Sequence, residues 1–190
     1  MSERLPVFPL GLVIAPGGVL PLRIFEPRYL KMVKWCMTES QGFIVVPPDG
    51  DGFAPLGTLC RIVDFDQLPD GCLGLTAHGD SQYSMSNPSK DEDGLWWADI
   101  EAIEPEADIE PQESEADLVN LLASLMQHPA VQELEMEVDY ESLSEVTWRL
   151  IELLPFEVHI KQALIETRDL GSRCDQLREA LKALQSESDR

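Results

Sequence analysis

The sequence predicts an α+β fold whose N-terminal half is rich in strands and whose C-terminal half is helical. In about the first 100 residues, short apolar runs alternate with turn signals made of Gly, Pro and Asp, as in a sheet with short connections. From about residue 114 the apolar residues recur every three or four positions, which is the period of an amphipathic helix. The 190 residues fit one compact domain or two small ones. We place the division between residues 1–112 and residues 113–190.

The strand-rich half contains six predicted strands and a weaker seventh near residues 83–85. The six cover residues 12–15, 19–25, 43–46, 56–65, 72–78 and 95–103. The fourth and fifth form the clearest hairpin, joined by the turn sequence Leu-Pro-Asp-Gly at 68–71. Pro21 lacks a main-chain N–H, so its strand belongs at a sheet edge or at a bulge. One helix interrupts the strands at residues 27–38, with Pro27 at its favoured first position.

The helical half begins with an apolar stripe along one face of a predicted helix. Its members are Leu118, Leu121, Leu122, Leu125 and Met126. Further helices are predicted at residues 130–134, 143–154, 157–166 and 169–185. Ser142 and Glu145 have the Ser-x-x-Glu spacing of a capping box, which places the start of the helix at 143–154.

The last predicted helix carries apolar residues with the spacing of a heptad repeat. They are Leu170, Cys174, Leu177, Leu181 and Leu184. Two interpretations fit this seam: it packs inside the helical half, or it joins two copies of the chain. We therefore expect a monomer or a weak homodimer. Between the halves, residues 104–113 have no periodicity and are interpreted as an acidic connector, and residues 87–94 as a solvated acidic loop.

The charge is large and unevenly placed. The formal net charge is −21, of which residues 1–90 carry only −2 and residues 91–190 carry −19. Such a surface repels nucleic acid and anionic membranes, because both are bound through Lys and Arg. No apolar run approaches the length of a membrane span, and the N-terminus lacks the basic and apolar regions of a signal peptide. We expect no nucleic-acid or membrane partner and a cytoplasmic location.

Catalytic, cofactor and metal motifs are absent from the sequence. It has no Gly-x-x-x-x-Gly-Lys-Ser/Thr loop for nucleotide phosphates, no Gly-x-Ser-x-Gly turn and no His-Glu-x-x-His zinc motif. His, Asp and Ser occur together at residues 78–81, a composition interpreted as a turn rather than a triad. The four cysteines lack a Cys-x-x-Cys spacing and are expected to be free thiols. We therefore predict no catalytic, cofactor-binding or metal-binding residue.

Trp97 is the one candidate binding residue. On the predicted strand at 95–103, alternation places Trp96 with the apolar face and Trp97 with the polar face. An exposed tryptophan is a good anchor for a protein or peptide partner. The alternative is that Trp97 lies under the neighbouring acidic loop.

Several segments together closely resemble the N-terminal domain of Lon proteases. They are Leu-Pro-Val-Phe-Pro-Leu at 5–10, residues 16–29, Leu-Gly-Thr at 56–58, Arg-Ile-Val at 61–63, the turn at 68–71, residues 73–79, Leu-Leu-Pro at 153–155, Lys-Gln-Ala-Leu-Ile-Glu at 161–166, Arg173 and Leu177. These motifs are weak singly and specific in combination. The resemblance extends over about residues 5–184.

The resemblance implies a PUA-like β-barrel followed by an α-helical bundle. In full-length Lon proteases this domain precedes an ATPase module and a Ser-Lys protease module. Because the sequence is short and lacks a phosphate-binding loop, we expect neither module in this chain. The resemblance therefore implies a stand-alone, non-catalytic module that binds protein or unfolded polypeptide, as an adaptor or chaperone-like component of protein quality control. Two alternatives are RNA binding, since PUA-like barrels include RNA readers, and a peptidase component, which the family name alone suggests.

Overall fold

A computed structural model describes residues 3–188 of the chain. The first two and last two residues, which the predicted ranges 1–112 and 113–190 include, lie outside the described residues. The α+β class is confirmed. The chain forms two compact units, one ending at Glu104 and one beginning at Pro105. As functional domains, the ranges 1–112 and 113–190 stay a prediction.

From residue 3 to residue 104, the first unit contains eight strands and one helix. The strands are β1 (Glu3–Pro9), β2 (Val19–Ile24), β3 (Phe43–Val46), β4 (Pro48–Asp49), β5 (Gly52–Phe53), β6 (Leu56–Gln67), β7 (Leu73–Lys90) and β8 (Trp96–Ala102), and the helix is α1 (Pro27–Glu39). The predicted helix, the hairpin and the strands at 43–46 and 95–103 are therefore confirmed. Pro21 is in β2, which stands at the edge of the sheet as its missing N–H requires.

Six strands pair in the order β2-β7-β6-β3-β1-β8, and β4 pairs with β5. The 18-residue β7 also pairs with β8 through its C-terminal part, so the pairings run in a cycle from β7 through β6, β3, β1 and β8 back to β7. The register between β7 and β8 shifts after Ser86, where Asn87 has a φ of 49°. This irregularity re-aims β7 toward β8, so that β8 pairs with both β1 and β7.

Three predicted segments in this unit need correction. Residues 12–15 are not a strand but a buried loop, held by the Thr58 hydroxyl, which donates to the Ile14 carbonyl at 2.6 Å. Residues 78–81 lie within β7 and not in a turn, and the acidic loop is only the turn at 91–94, because β7 continues to Lys90. Local composition gave these errors, since pairing with β6 and β8 overrides the turn propensity of Gly, Pro and Asn.

The sheet is apolar on both faces, whereas the sequence predicted a sheet with one apolar face. One apolar cluster includes Phe8, Leu20, Met32, Cys36, Phe43, Val45, Leu75 and Ala77, and a second includes Leu5, Val7, Ile44, Val46, Leu59, Ala98 and Ile100. Consecutive residues of β3 alternate between the two clusters, as a strand's alternating side chains require. Helix α1 contributes Met32 and Cys36 to the first cluster.

The second unit is helical, as predicted. A 3₁₀ turn (Glu113–Glu115) leads into α2 (Ala116–Leu125), followed by α3 (Pro129–Gln132), α4 (Leu143–Leu153), α5 (Val158–Glu166) and α6 (Leu170–Ser188). The Ser142 hydroxyl accepts from the Glu145 N–H at 3.0 Å and caps α4 as its sequence predicted. The heptad-spaced Leu170, Cys174 and Leu177 are buried in this unit's own core, which favours the internal interpretation of the seam. No helix among the described residues is long and apolar enough to cross a membrane.

The acidic connector is irregular as predicted, but it is also fixed by a buried ion pair. Arg173 of α6 is fully buried and binds both carboxylate oxygens of Glu106, whose side chain is 5% exposed, with one N···O distance of 2.5 Å. The same guanidinium donates to the Thr167 carbonyl at 2.6 and 3.1 Å. Further along, the Asp108 carboxylate accepts from the Ser144 N–H at 3.0 Å. The connector is thus fixed to the helical unit at Glu106 and Asp108, while most of its other residues are exposed.

Candidate functional site

The hairpin of β6 and β7 has a closely specified turn. The Leu68 N–H donates to the Cys72 carbonyl at 2.9 Å, and the Gly71 N–H donates to the Leu68 carbonyl at 2.9 Å. The Asp70 carboxylate accepts from the Cys72 N–H at 3.0 Å. Gly71 has a φ of 86°, a conformation that glycine adopts without steric cost. The Leu-Pro-Asp-Gly sequence thereby fixes the register Gln67–Leu73 at the end of the hairpin.

An open groove lies between the end of this hairpin and helix α1. We call it the hairpin groove, and it is lined by Leu30, Phe65, Asp66, Gln67, Gly71, Cys72 and Leu73, with a volume of about 330 Å³. Phe65 is 54% exposed and Leu30 is 41% exposed, so two large apolar side chains at the groove meet solvent. Apolar clefts with a few placed polar groups are the usual form of a binding site.

The rim of the hairpin groove is polar. Arg23 of β2 forms an ion pair with Asp70 in the hairpin turn. A hydrogen bond with Cys72 and the charge of Asp70 raise the pKa of Arg23, and the Cys72 N–H lowers the pKa of Asp70. Arg23 and Asp70 therefore both stay charged across the ordinary pH range. The Asp70 carboxylate neutralises the Arg23 guanidinium. Asp64 and Asp66 are exposed on strand β6, and their carboxylates form no ion pair with another described residue.

Trp97 is not among the residues that line the groove. It is half-buried, its ring meets Trp35 edge-to-face at 5.0 Å, and its Nε1 donates to the Asp91 carboxylate at 3.3 Å. Lys31 of α1 pairs with the same carboxylate at 3.1 Å. Trp97 therefore has the acidic turn at 91–94 against it, as in the alternative interpretation, and its role as a protein anchor stays a prediction.

Trp96 is also half-buried rather than fully in the core. It packs beside the second apolar cluster and meets Phe53 edge-to-face at 5.4 Å, while the Lys90 ammonium lies 4.6 Å from its ring centre. The expected separation of one core and one surface tryptophan assumed a sheet with one apolar face. Because both faces are apolar, the two neighbouring indoles each rest on a different cluster.

The sequence alone does not predict the hairpin groove. Phe65 and Leu30 lie in a predicted strand and a predicted helix, and their exposure depends on where neighbouring elements stop. A signal was present, however, since the predicted strand at 56–65 is much longer than the one at 43–46. A long strand beside a short one leaves part of its edge and face uncovered.

The cysteines differ sharply in accessibility. Cys36, Cys60 and Cys174 are buried free thiols, whereas Cys72 is partly exposed in the hairpin groove. Burial raises the pKa of Cys36 to about 12 and also raises the pKa of Cys174, so their thiolate forms are scarce at neutral pH.

We expect a disulfide reagent to react quickly with one thiol per native chain and with all four after denaturation. The fast phase belongs to Cys72, because it is the least buried of the four. Timed absorbance measurements on the native protein and on Cys72→Ser test this. A fast phase that persists in Cys72→Ser, or that involves more than one thiol, would contradict the burial pattern.

The histidines form no catalytic grouping among residues 3–188. His78 and Asp80 are exposed on β7, and the Asp80 carboxylate is held by Arg61 at 2.9 Å. His128 accepts from the Ala130 N–H at 3.3 Å and lies with His159 in the helical unit. Within the described part of the chain, no three His, Cys, Asp or Glu side chains are grouped as metal ligands.

Comparison with known proteins gives matches along nearly the whole chain. Residues 4–183 match the family described as the ATP-dependent protease La (LON) substrate-binding domain. The crystal structure of a Lon N-terminal domain protein from Xanthomonas campestris is 30% identical, with a TM-score of 0.78, covering 93% of this chain and 98% of that one. The N-terminal domain of the Mycobacterium avium complex Lon protease is 18% identical, with a TM-score of 0.69, covering 94% of this chain and 97% of that one. The latter match shows a common fold.

Proposed function

The chain belongs to the family of Lon substrate-binding domains, and on that premise we propose that it is a non-catalytic module that binds segments of unfolded polypeptide. The hairpin groove carries this proposal, because it presents exposed apolar side chains between a helix and a strand. An extended segment of polypeptide has apolar side chains to fill such a groove and main-chain groups to bind its rim.

Charge supports polypeptide over nucleic acid as the partner. The net charge is −21, and Arg23 beside the hairpin turn is paired with Asp70. A phosphate backbone would therefore meet a strongly acidic surface, on which Arg23 already has a carboxylate partner. RNA binding, the alternative that a PUA-like domain suggests, gains no support from this surface.

The finer architecture is part of the same proposal. We infer that the cycle of strand pairings forms a small PUA-like barrel and that helices α2 to α6 of the second unit form a bundle. We also propose that Trp97 supplies a secondary contact to a bound protein. The chain would work as a monomer or weak homodimer. It would act in the cytoplasm as an adaptor or chaperone-like component of protein quality control.

Two substitutions on β6 test the binding role. Phe65 and Val63 are both 54% exposed, but only Phe65 lines the groove. We expect Phe65→Ser to weaken binding of a fluorescein-labelled, permanently unfolded polypeptide by about tenfold or more, since a buried aromatic anchor contributes at least about 1.4 kcal/mol. Val63→Ser should change the affinity by less than about twofold. Fluorescence anisotropy of the labelled chain measures both.

The outcomes separate this proposal from its competitors. Binding that saturates and depends on Phe65 supports it. The absence of saturable binding to any unfolded polypeptide would contradict it, as would equal losses in the two variants. Tighter binding to a labelled single-stranded RNA than to polypeptide would replace the proposal by the RNA-binding alternative.

A further inference from the structure

The outer edge of β6 beside the hairpin groove has no strand paired to it among the described residues. β3 covers β6 only from Thr58 to Cys60, whereas β7 pairs with β6 as far as Gln67. Residues 63–67 are all exposed. The last part of β6 is therefore a sheet edge that is open to solvent, next to an apolar groove.

The direction of the main-chain groups on this edge follows from the register. The Leu68 N–H donates to the Cys72 carbonyl, so Leu68 turns its main-chain groups toward β7. In an antiparallel pair these groups alternate from residue to residue, so the main-chain groups of Phe65 and Gln67 point outward. Two hydrogen bonds agree: the Phe65 N–H donates to the Asp64 carboxylate at 2.9 Å, and the Gln67 N–H donates to the Asp66 carboxylate at 2.7 Å.

The two carboxylates protect this edge. Each occupies the N–H that an added strand would need, and charged side chains at a sheet edge are a common defence against unwanted pairing. A strand can pair here only if it draws the carboxylates of Asp64 and Asp66 away. A cationic side chain opposite each of them would do so, because it offers the carboxylate a new partner and leaves the N–H for the incoming carbonyl.

The alternation of β6 then specifies the order of side chains in the partner. Asp64 and Asp66 lie on one face of the strand, while Phe65 lies on the other face with its cross-strand neighbour Leu75. An incoming residue opposite Phe65 would direct its side chain to the groove face, beside Leu30 and Leu73. Its two neighbours in sequence would direct theirs toward the carboxylates.

We propose that the outer edge of β6 binds an extended polypeptide segment by strand addition, and that it selects an apolar residue flanked on both sides by Lys or Arg. This inference rests on the proposed polypeptide-binding function and adds the binding mode and the sequence preference. Solvent-exposed ion pairs contribute little affinity. The main-chain hydrogen bonds and the apolar contact supply the binding, and the carboxylates supply the selectivity.

Substitutions at Gln67 isolate the main-chain contact. Gln67→Pro removes the outward N–H and places ring carbons at the edge, while the hydrogen bonds to β7 stay in place. Gln67→Ala removes the same side chain and keeps the N–H. With a labelled peptide of about 12 residues centred on Lys-Leu-Lys, we expect Gln67→Pro to bind about tenfold more weakly than Gln67→Ala, since both variants lack the Gln67 side chain and only the proline also lacks the N–H.

Peptide variants and the carboxylates test the selectivity. A Glu-Leu-Glu peptide and a reordered Leu-Lys-Lys peptide should each bind about tenfold more weakly than Lys-Leu-Lys. Asp64→Asn with Asp66→Asn should reduce the preference for Lys-Leu-Lys and its dependence on salt. If the bound peptide protects Cys72 from a thiol reagent, the peptide lies at the hairpin groove. Unchanged far-UV circular dichroism would show that each variant is folded.

Each contrary outcome is informative. If the unfolded polypeptide binds through Phe65 but Gln67→Pro matches Gln67→Ala, or if Glu-Leu-Glu binds as well as Lys-Leu-Lys, strand addition is wrong and the proposed function stands. If no polypeptide binds, the proposed function itself fails. A second copy of the chain is a poor partner for this edge, because it would bring the carboxylates of the two copies together. If sedimentation shows a dimer that Gln67→Pro dissociates, the inference is wrong and the edge serves self-association.

Discussion

Replacing Glu106 by alanine is expected to destabilise the helical unit by about 3–5 kcal/mol. The substitution leaves the fully buried Arg173 with its charge but without its carboxylate partner. The remaining hydrogen bonds to the Thr167 carbonyl satisfy part of the guanidinium and cannot neutralise it. The expected loss is a large fraction of the stability of a small domain. Urea denaturation followed by far-UV circular dichroism, which reports mainly on the helices, measures it.

Two further variants make the interpretation of that loss specific. Glu110 belongs to the same acidic connector but is exposed, so Glu110→Ala should change the free energy of unfolding by less than about 0.5 kcal/mol. Replacing both partners, Glu106→Leu with Arg173→Leu, should recover much of the loss, because two apolar side chains carry no uncompensated charge. A double variant as unstable as Glu106→Ala would show that packing, rather than the unpaired charge, dominates.

Replacing Gly79 by alanine is expected to destabilise the sheet unit by about 2–3 kcal/mol. A Cβ atom at this position would lie 2.3 Å from the carbonyl oxygen of Ala15, which is main chain and cannot rotate away. The same approach holds the buried loop to β7, since the Gly17 N–H donates to the Gly79 carbonyl and the Gly79 N–H donates to the Gly18 carbonyl, both at 2.9 Å. The clash therefore forces the loop and the strand apart.

Gly11→Ala is the matched control for this effect. Gly11 precedes the same loop, and a Cβ atom there meets nothing within 4 Å. Its substitution should leave stability unchanged or raise it by up to about 1 kcal/mol, because alanine restricts the unfolded chain. Thermal and urea denaturation of both variants gives the comparison. Equal stabilities would mean that the loop yields to the added methyl group at little cost.

The overall organisation of the chain was predictable because its two periodicities are clear. The capping residue Ser142 and the apolar spacing of α2 and α6 identified the helices, and the turn at 68–71 identified the central hairpin. In these elements local preference and tertiary packing agree. The resemblance to Lon N-terminal domains, carried by combined motifs, is confirmed by the family match at residues 4–183.

Strand β1 escaped prediction because Pro6 and Pro9 argue against a strand. The structure accommodates them because β1 changes partners along its length. It pairs with β8 from Glu3 to Val7 and with β3 from Val7 to Pro9. Each proline therefore lies where only one side of the strand is paired, and a missing N–H can face the other side. No local pattern reveals such a change of partner.

The candidate site exists because no described strand pairs with the outer edge of the last part of β6. The sequence pattern of a strand does not show whether a neighbouring strand covers its edge. Asp64, Phe65 and Asp66 have the alternation of an ordinary half-buried strand. Their exposure follows from the length of β3, which stops pairing with β6 at Cys60. Trp97 is less exposed than its place on the polar face of the strand predicts, because Trp35 and the turn containing Asp91 pack against it.

The cycle of strand pairings also constrains when this unit can fold. Glu3 pairs with Ile100, so the first strand must find a partner almost a hundred residues later in the chain. Contacts of such long range make folding slow, because loop-closure entropy is lost before the contacts form. During synthesis β1 cannot pair with β8 until β8 has left the ribosome, so the apolar residues that β1 contributes to the second cluster lack their β8 neighbours until then. A newly made chain is thus for a time an unfolded polypeptide of the kind that we propose it binds.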